Sequence, residues 1–594
     1  MENSNKKHLK NLVKSFGILV PISHKAISQK NILDNISVYI TSSDLSSLED
    51  FSSNLDLLIE KLKKFNAIEL IQVFAKLNLT FGDTHHKFKA IEKKMAKDLY
   101  KGKVLEEISN LLNKQRKLFL RSQLLSLIKL IILNQDDSGK QNVEKNLKEL
   151  GQIFIIMNDL LELDTKSFKD KEEETKKIYS SAIRSYSFSK SQQFRYLIAR
   201  YNLLFFRYAS KISDKSFSIT DKYKEFTGID IKLFMYISIS IYAFFQKSIR
   251  HVEDYQTWPQ KYLLSENYFK TTSKEVKKEI KNILELMSED ISRFKRDMEE
   301  TRYDIDNTYF SFITFKKKPL LRLDDLYLLF DIDYLQDRLT SGIYWEIFNK
   351  LEDDKEKNKF ASIWGRIFEF YVFDILERCF GGSKRLFFEN DKRKQRIDAI
   401  IYYPDSLIFI EVTSKKIRPT TLTSGDYDKY ISEISDLFFG GEKSEKGKLT
   451  QLLGEIDRFK NGEIELNGID SSSIKNYYPV IIFEDSPVSL PFFKYEDIFV
   501  EKMKNKEMLD YMKRLQLLNI EELEMLEPLI NSGQSFKDLL NKKLAIDPKI
   551  PLKNFLYNMD IKEIANKFLM KEFKNFWEEA MEVLSPEEKS DEHF

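Results

Sequence analysis

From residue 55 onward the apolar positions recur at intervals of three and four, as in Leu55, Leu58, Ile59 and Leu62, in Ile108, Leu111 and Leu112, in Leu120, Leu124, Leu127, Ile128 and Ile131, and in Phe154, Met157 and Leu160. That spacing lines one face of a helix, and only Pro21, Pro259 and Pro319 occur before residue 400 to interrupt it. Residues 1 to about 350 are therefore predicted to be mostly α. Polar runs at Gln135–Gln141 and Asp164–Lys177, and the segment Phe315–Pro319, mark breaks, so the helical part divides into 1–165 and 166–350. The same spacing returns from Phe360 to Cys379 and stops at Gly381–Gly382, a pair suited to ending a helix. Glu369 sits at the edge of that apolar stripe. Gly365, one turn earlier, suits close approach of a sheet or ligand.

After Gly382 the pattern shortens to strand length. Arg385–Glu389, Arg396–Tyr403 and Leu407–Thr413 read as strands, the last two joined by Tyr403–Pro404–Asp405–Ser406. With Pro404 and Asp405 as the turn pair, Asp398 falls opposite Glu411. Like charges directly opposed on a sheet are destabilising. Set beside Ile, Phe and Val, two such carboxylates raise each other's pKa or demand a cation, and a hard divalent ion, Mg²⁺ or Mn²⁺, satisfies that demand with oxygen ligands. Strand alternation puts 407, 409, 411, 413 and 415 on one face, which brings Lys415 to the side of Glu411, within reach of a phosphate or an attacking water. A helix carrying Gln451 and an apolar strand, Tyr478–Phe483, follow. Helices are then expected at Tyr495–Leu518, Ile520–Ser532 and Ile561–Leu584, before an acidic tail, Pro586–His593.

This order of elements from 355 to 495, with Glu369, Asp398 and Glu411 in it, resembles the core of the PD-(D/E)xK nuclease superfamily over about a quarter of the chain. The resemblance implies a restriction-endonuclease-like α/β domain, a mixed sheet flanked by helices, embedded in a mainly α multidomain protein. It also implies that Asp398, Glu411 and Glu369 hold Mg²⁺ or Mn²⁺, and that Gln451 assists. The family's lysine belongs two residues after the second acid, where this chain has Thr413. The nearest same-face substitute is Lys415, so either the lysine has moved or hydrolysis is lost. The expected activity is metal-dependent hydrolysis of nucleic acid, DNA before RNA. Its alternatives are an inactive nucleic-acid-binding relic, or a helical interaction scaffold whose hairpin acids are merely solvated.

Charge around the acids favours a polyanion. Lys384, Arg385, Lys392, Arg393, Lys394, Arg396, Lys415, Lys416 and Arg418 crowd one stretch, whereas the whole chain carries a net charge of only +2. Of these, Lys392, Arg393, Lys394, Arg396, Lys416 and Arg418 are the expected nucleic-acid contacts, although a run such as Asp391–Arg396 is also a common solvated loop. At 594 residues the chain exceeds one hydrophobic core, and a fourth, helical region is expected over 496–594. The single cysteine, Cys379, excludes disulfides and thiolate metal sites and fits a reducing compartment. A polar N-terminus, Met1–Lys14, and the shortness of the apolar run Leu233–Phe245 argue against export or membrane insertion, so a cytoplasmic location is expected. Size alone suggests that the helical region serves a protein partner, homo-oligomerisation or sensing, and antiviral defence is a setting by analogy.

Several motifs fail on inspection. Gly441 to Lys448 imitates a phosphate-binding loop, but five residues separate the glycines and Leu449 replaces the required Ser or Thr, so it reads as a flexible loop before the Gln451 helix. His85–His86 lacks neighbouring acids in sequence, and no G-x-S-x-G elbow occurs.

Overall fold

A computed structural model of the chain describes residues 40–584, apart from 47–52, 81–84, 115, 135–140, 162–175, 177–179, 181–182, 184–193, 213–216, 250–261, 270–271, 302–310, 383–385, 389–396, 441–446, 464–468, 485–510, 547–550 and 560–563. The molecule is mainly helical. The apolar stripes of the first part form the helices Leu55–Lys63, Ala67–Thr80, Gly102–Asn113, Arg121–Asn134 and Leu147–Leu161. Leu124, Leu127, Ile128 and Ile131 are buried, as are Phe154 and Met157, so the three-and-four spacing marks the packed faces. Among the described residues no single helix is long and apolar enough to cross a membrane. Ile231–Ile249, which contains the apolar run Leu233–Phe245, packs against Ile332–Arg338 and Lys567–Leu584 instead.

Residues 166–350 are less uniformly helical than expected. They contribute a small sheet of β1 (Leu263–Ser265), β2 (Ser288–Glu289), β3 (Leu320–Leu323) and β4 (Leu326–Leu329), in the order β1-β4-β3-β2. β3 and β4 form a hairpin turning at Asp324, which takes a left-handed φ of 54°. Each strand is four residues or fewer, too short for a two-residue period to show against the helical background.

The second sheet positions the site. It has five strands, β5 (Leu386–Phe388), β6 (Ala399–Tyr403), β7 (Ser406–Thr413), β8 (Asn476–Phe483) and β9 (Gln516–Asn519), in that spatial order. β5, β6 and β7 are antiparallel neighbours, while β7, β8 and β9 run parallel. In the hairpin Tyr403 pairs with Ser406 and Ala399 with Ile410, which sets Asp398 opposite Glu411. Every residue of β7 is buried, because helices cover both faces. Ile408, Ile410 and Val412 join the cluster that holds Ile367, Phe368 and Tyr371 of the helix Asp354–Phe380. Leu407 and Phe409 join a second cluster with Tyr430 and Ile434 of Tyr427–Phe439 and with Leu452, Ile456 and Phe459 of Lys448–Lys460. Full burial of each such side chain contributes roughly 1.5–3 kcal/mol.

The sheet is completed from beyond residue 495. Where a helix Tyr495–Leu518 was expected, Gln516–Asn519 is a strand paired with Val480–Phe483, and 485–510 lie outside the described residues. Pairing with an apolar strand edge overrides the helical spacing of Leu515, Leu517 and Leu518. Asn519 then caps the next helix, Ile520–Asn531, in a capping box with Glu522, and that helix packs on Asp354–Phe380. One apolar cluster continues from Ile40 through both helical regions and one face of the sheet to Leu584.

Candidate functional site

The site lies where β6, β7, the helix Asp354–Phe380 and the start of Lys448–Lys460 meet. Asp398 immediately precedes β6, and its Oδ2 accepts the Val412 backbone N–H at 2.7 Å, which ties the acid to the facing strand. Glu411 is 1% exposed. Its Oε2 accepts a 2.8 Å hydrogen bond from Lys448 Nζ, and the same ammonium lies 3.6 Å from Asp398 Oδ2. One half-buried cation thus spans both opposed carboxylates, an arrangement in which attraction offsets desolvation.

That compensation is incomplete. Burial first, and then the Asp398 charge, push the Glu411 carboxyl up to about 8, with the Lys448 ammonium pulling the other way. Glu369, half-buried on its helix, is pushed up to about 7 by burial and by Asp398, against the pull of Lys448 and Arg366. Burial acts to lower the Lys448 pKa, but the charges of Asp398 and Glu411 prevail and hold it above the ordinary lysine range. The site therefore contains three acids in electrostatic contact with one ammonium.

Lys448 escaped the sequence reading because it ended the false phosphate-loop motif. Its position is set locally. Gly447 is the N-cap of Lys448–Lys460, and a Cβ there would lie 2.3 Å from the Phe438 carbonyl and the Phe439 nitrogen, so only glycine lets the turn press against the end of Tyr427–Phe439. The first residue of the helix is then aimed at Glu411. The usable signal was a Gly-Lys pair opening the helix that carries Gln451. Gln451 itself is half-buried, one turn beyond Lys448 on the same helix.

Lys415, expected to stand in for the missing lysine, lies beyond the end of the strand. β7 ends at Thr413, so alternation does not carry through to 415, and Lys415 is exposed with its backbone N–H donating to Thr413 Oγ1 at 3.3 Å. Lys416, expected on a nucleic-acid track, is buried. Its Nζ lies 2.6 Å from Glu484 Oε1, with the two side chains 4% and 2% exposed. Arg418 is exposed, whereas Lys384, Arg385, Lys392, Arg393, Lys394 and Arg396 lie outside the described residues. Gly365 is not in forbidding contact, since a Cβ there would meet Ser414 Oγ at an ordinary 3.5 Å. Burial pushes the Cys379 thiol up to about 12, leaving it a poor metal ligand.

Among the described residues no group of three or more His, Cys, Asp or Glu side chains is placed to hold a metal ion by itself. The donor set is two opposed carboxylates with a third acid within charge reach. That suits Mg²⁺, which is commonly held by one or two carboxylates and keeps its other positions for water and phosphate oxygens. Comparison of the chain with models of protein families, with curated proteins and with solved structures finds no match.

Proposed function

We propose that the chain is a metal-dependent nuclease that hydrolyses phosphodiester bonds, DNA before RNA, in a restriction-endonuclease-like domain built on the five-stranded sheet. The observation that carries this reading is the Lys448 ammonium set between Asp398 and Glu411, with Glu369 alongside. It supplies the lysine that Thr413 denies to the usual position. Asp398 and Glu411 would hold Mg²⁺ or Mn²⁺, and Glu369 would assist. When bound, the ion supplies Lewis-acid polarisation of a phosphoryl oxygen. Lys448 orients the attacking water and stabilises charge developing on the phosphoryl group, and Gln451, one turn away, helps to hold that water. Glu369, pushed to about 7, can accept a proton near neutrality. The helical region fits a sensing, partner-binding or oligomerising role that restrains cleavage, and its placement in antiviral defence is analogy.

The test is direct. Purified protein is incubated with plasmid, linear duplex, single-stranded DNA and RNA, in Mg²⁺, Mn²⁺ or EDTA. Cleavage that needs metal and is lost in Asp398→Asn supports the assignment. Metal-independent binding without cleavage under every condition would point to an inactive relic, and absence of both would leave a helical scaffold.

A further inference from the structure

Outside the acid site, the segment after β7 has a construction that an ordinary charged loop does not need. Its inward residues are anchored unusually firmly. Lys416 is paired with Glu484 in the interior, and the second carboxylate oxygen of Glu484 accepts a 2.6 Å hydrogen bond from Trp364 Nε1 on the Glu369 helix. Tyr201 OH donates to Glu484 at 3.3 Å from the helical region, and the Glu484 backbone N–H donates to Thr413 O at 3.1 Å. Ile417, the next residue, is 3% exposed in the apolar cluster. A buried ion pair is costly to desolvate, so it contributes little net stability, but it fixes geometry strictly because neither partner can be left alone.

What this anchoring fixes is the outward pair. Lys415 and Arg418 flank the two buried residues, and both are exposed. Arg366, also exposed, lies on the Asp354–Phe380 helix one turn before Glu369. Gly365 and Ser414 are neighbours across the gap, and Arg366 and Lys415 are the residues that directly follow them. The Arg366 charge also reaches Glu369, where it favours the ionised carboxylate. Among the described residues near the end of β7 the ion pairs are Lys416 with Glu484 and Lys448 with Asp398 and Glu411, and they use none of these three cations.

We propose that Arg366, Lys415 and Arg418 form a pre-organised phosphate-binding rim that carries a nucleic-acid backbone to the acid site; this rests on the nuclease reading above. Phosphate contacts position a nucleic acid without reading its sequence. Guanidinium groups suit the task because their forked donors match phosphate oxygens in pairs. Holding the main chain between Lys415 and Arg418 in advance reduces the ordering cost when the strand binds. Lys415 thereby acquires a role in binding rather than in the chemical step.

The experiment measures binding separately from cleavage. A fluorescein-labelled mixed-sequence duplex is titrated with the full chain in EDTA at several salt concentrations, and cleavage is followed in parallel in Mg²⁺. Arg366→Ala, Lys415→Ala and Arg418→Ala should each weaken binding several-fold and reduce the log–log salt slope by about one. The triple variant should lose roughly a hundredfold in affinity, and Lys415→Ala combined with Arg418→Ala should raise KM with kcat within about twofold, because uniform binding is what that pair removes. Lys415→Arg should keep the wild-type slope. A triple variant with wild-type affinity and slope, in a protein whose parent still cleaves, overturns the rim and leaves the nuclease assignment standing. A parent that neither binds nor cleaves overturns both.

Discussion

Replacing Glu411 by glutamine should change how the stability of the protein depends on pH. In the folded state the Glu411 carboxyl is pushed up to about 8, against an ordinary value of 4.5. Between those values the folded chain holds a proton that the unfolded chain has released, so stability is full below about 4.5 and falls as pH rises through 8. Each pH unit in that window removes at most about 1.4 kcal/mol. From pH 5.5 to 7.5 that is a loss of about 2–3 kcal/mol at most, or a melting temperature lower by a few degrees in a protein of this size. In Glu411→Gln the amide cannot ionise, and only the weaker contribution of Glu369 remains. Scanning fluorimetry in EDTA should therefore show a steeper decline for wild type than for the variant. Added Mg²⁺ should flatten the wild-type curve, because a cation favours the ionised form that burial opposes. Parallel curves for the two proteins in EDTA, with the same response to Mg²⁺, would refute the buried, proton-holding description of Glu411.

Other substitutions separate chemistry from architecture. Lys448→Ala should lower the cleavage rate by about a hundredfold or more, a typical loss for one electrostatic stabiliser, while Lys415→Ala leaves kcat near wild type; equal losses in steady-state kinetics would remove Lys448 from the reaction. Gly447→Ala must displace the Phe438–Phe439 backbone, so a destabilisation of about 1–3 kcal/mol in denaturant titrations should accompany reduced activity, and an unchanged midpoint would show that the turn yields freely. Glu484→Ala leaves the Lys416 ammonium buried without its carboxylate and should cost about 3–5 kcal/mol, whereas Glu484→Ala combined with Lys416→Met should recover much of that loss.

What could be read from the sequence was mostly local. The Asp398–Glu411 pairing was legible because a short turn at Pro404–Asp405 fixes the hairpin register and the strand residues around it are apolar. The Glu369 helix was legible from its stripe. Lys448 was not, because its approach to Glu411 across 37 residues depends on how its helix docks and on the contact that Gly447 makes with Phe438. Lys416 and Lys415 look alike in a charge pattern. Only the arrival of Glu484, 68 positions later in the chain, turns one of them inward. β9 was hidden for the same reason, since its strand character comes from the edge of β8 and not from its own four residues.

The order in which the strands arrive has a consequence for biosynthesis. β8 pairs with β7 along its whole length, but the edge at Val480–Phe483 stays open until Gln516–Asn519 has been made, and the Glu369 helix gains its Ile520–Asn531 neighbour later still. During vectorial synthesis the acids at 369, 398 and 411 are thus all translated well before the last strand of their sheet. An open apolar strand edge invites mispairing while it waits. A nascent chain stalled with β8 outside the ribosomal exit tunnel and β9 still inside it should accordingly be protease-sensitive and chaperone-seeking, and one stalled after Ile520–Asn531 has also emerged should be resistant.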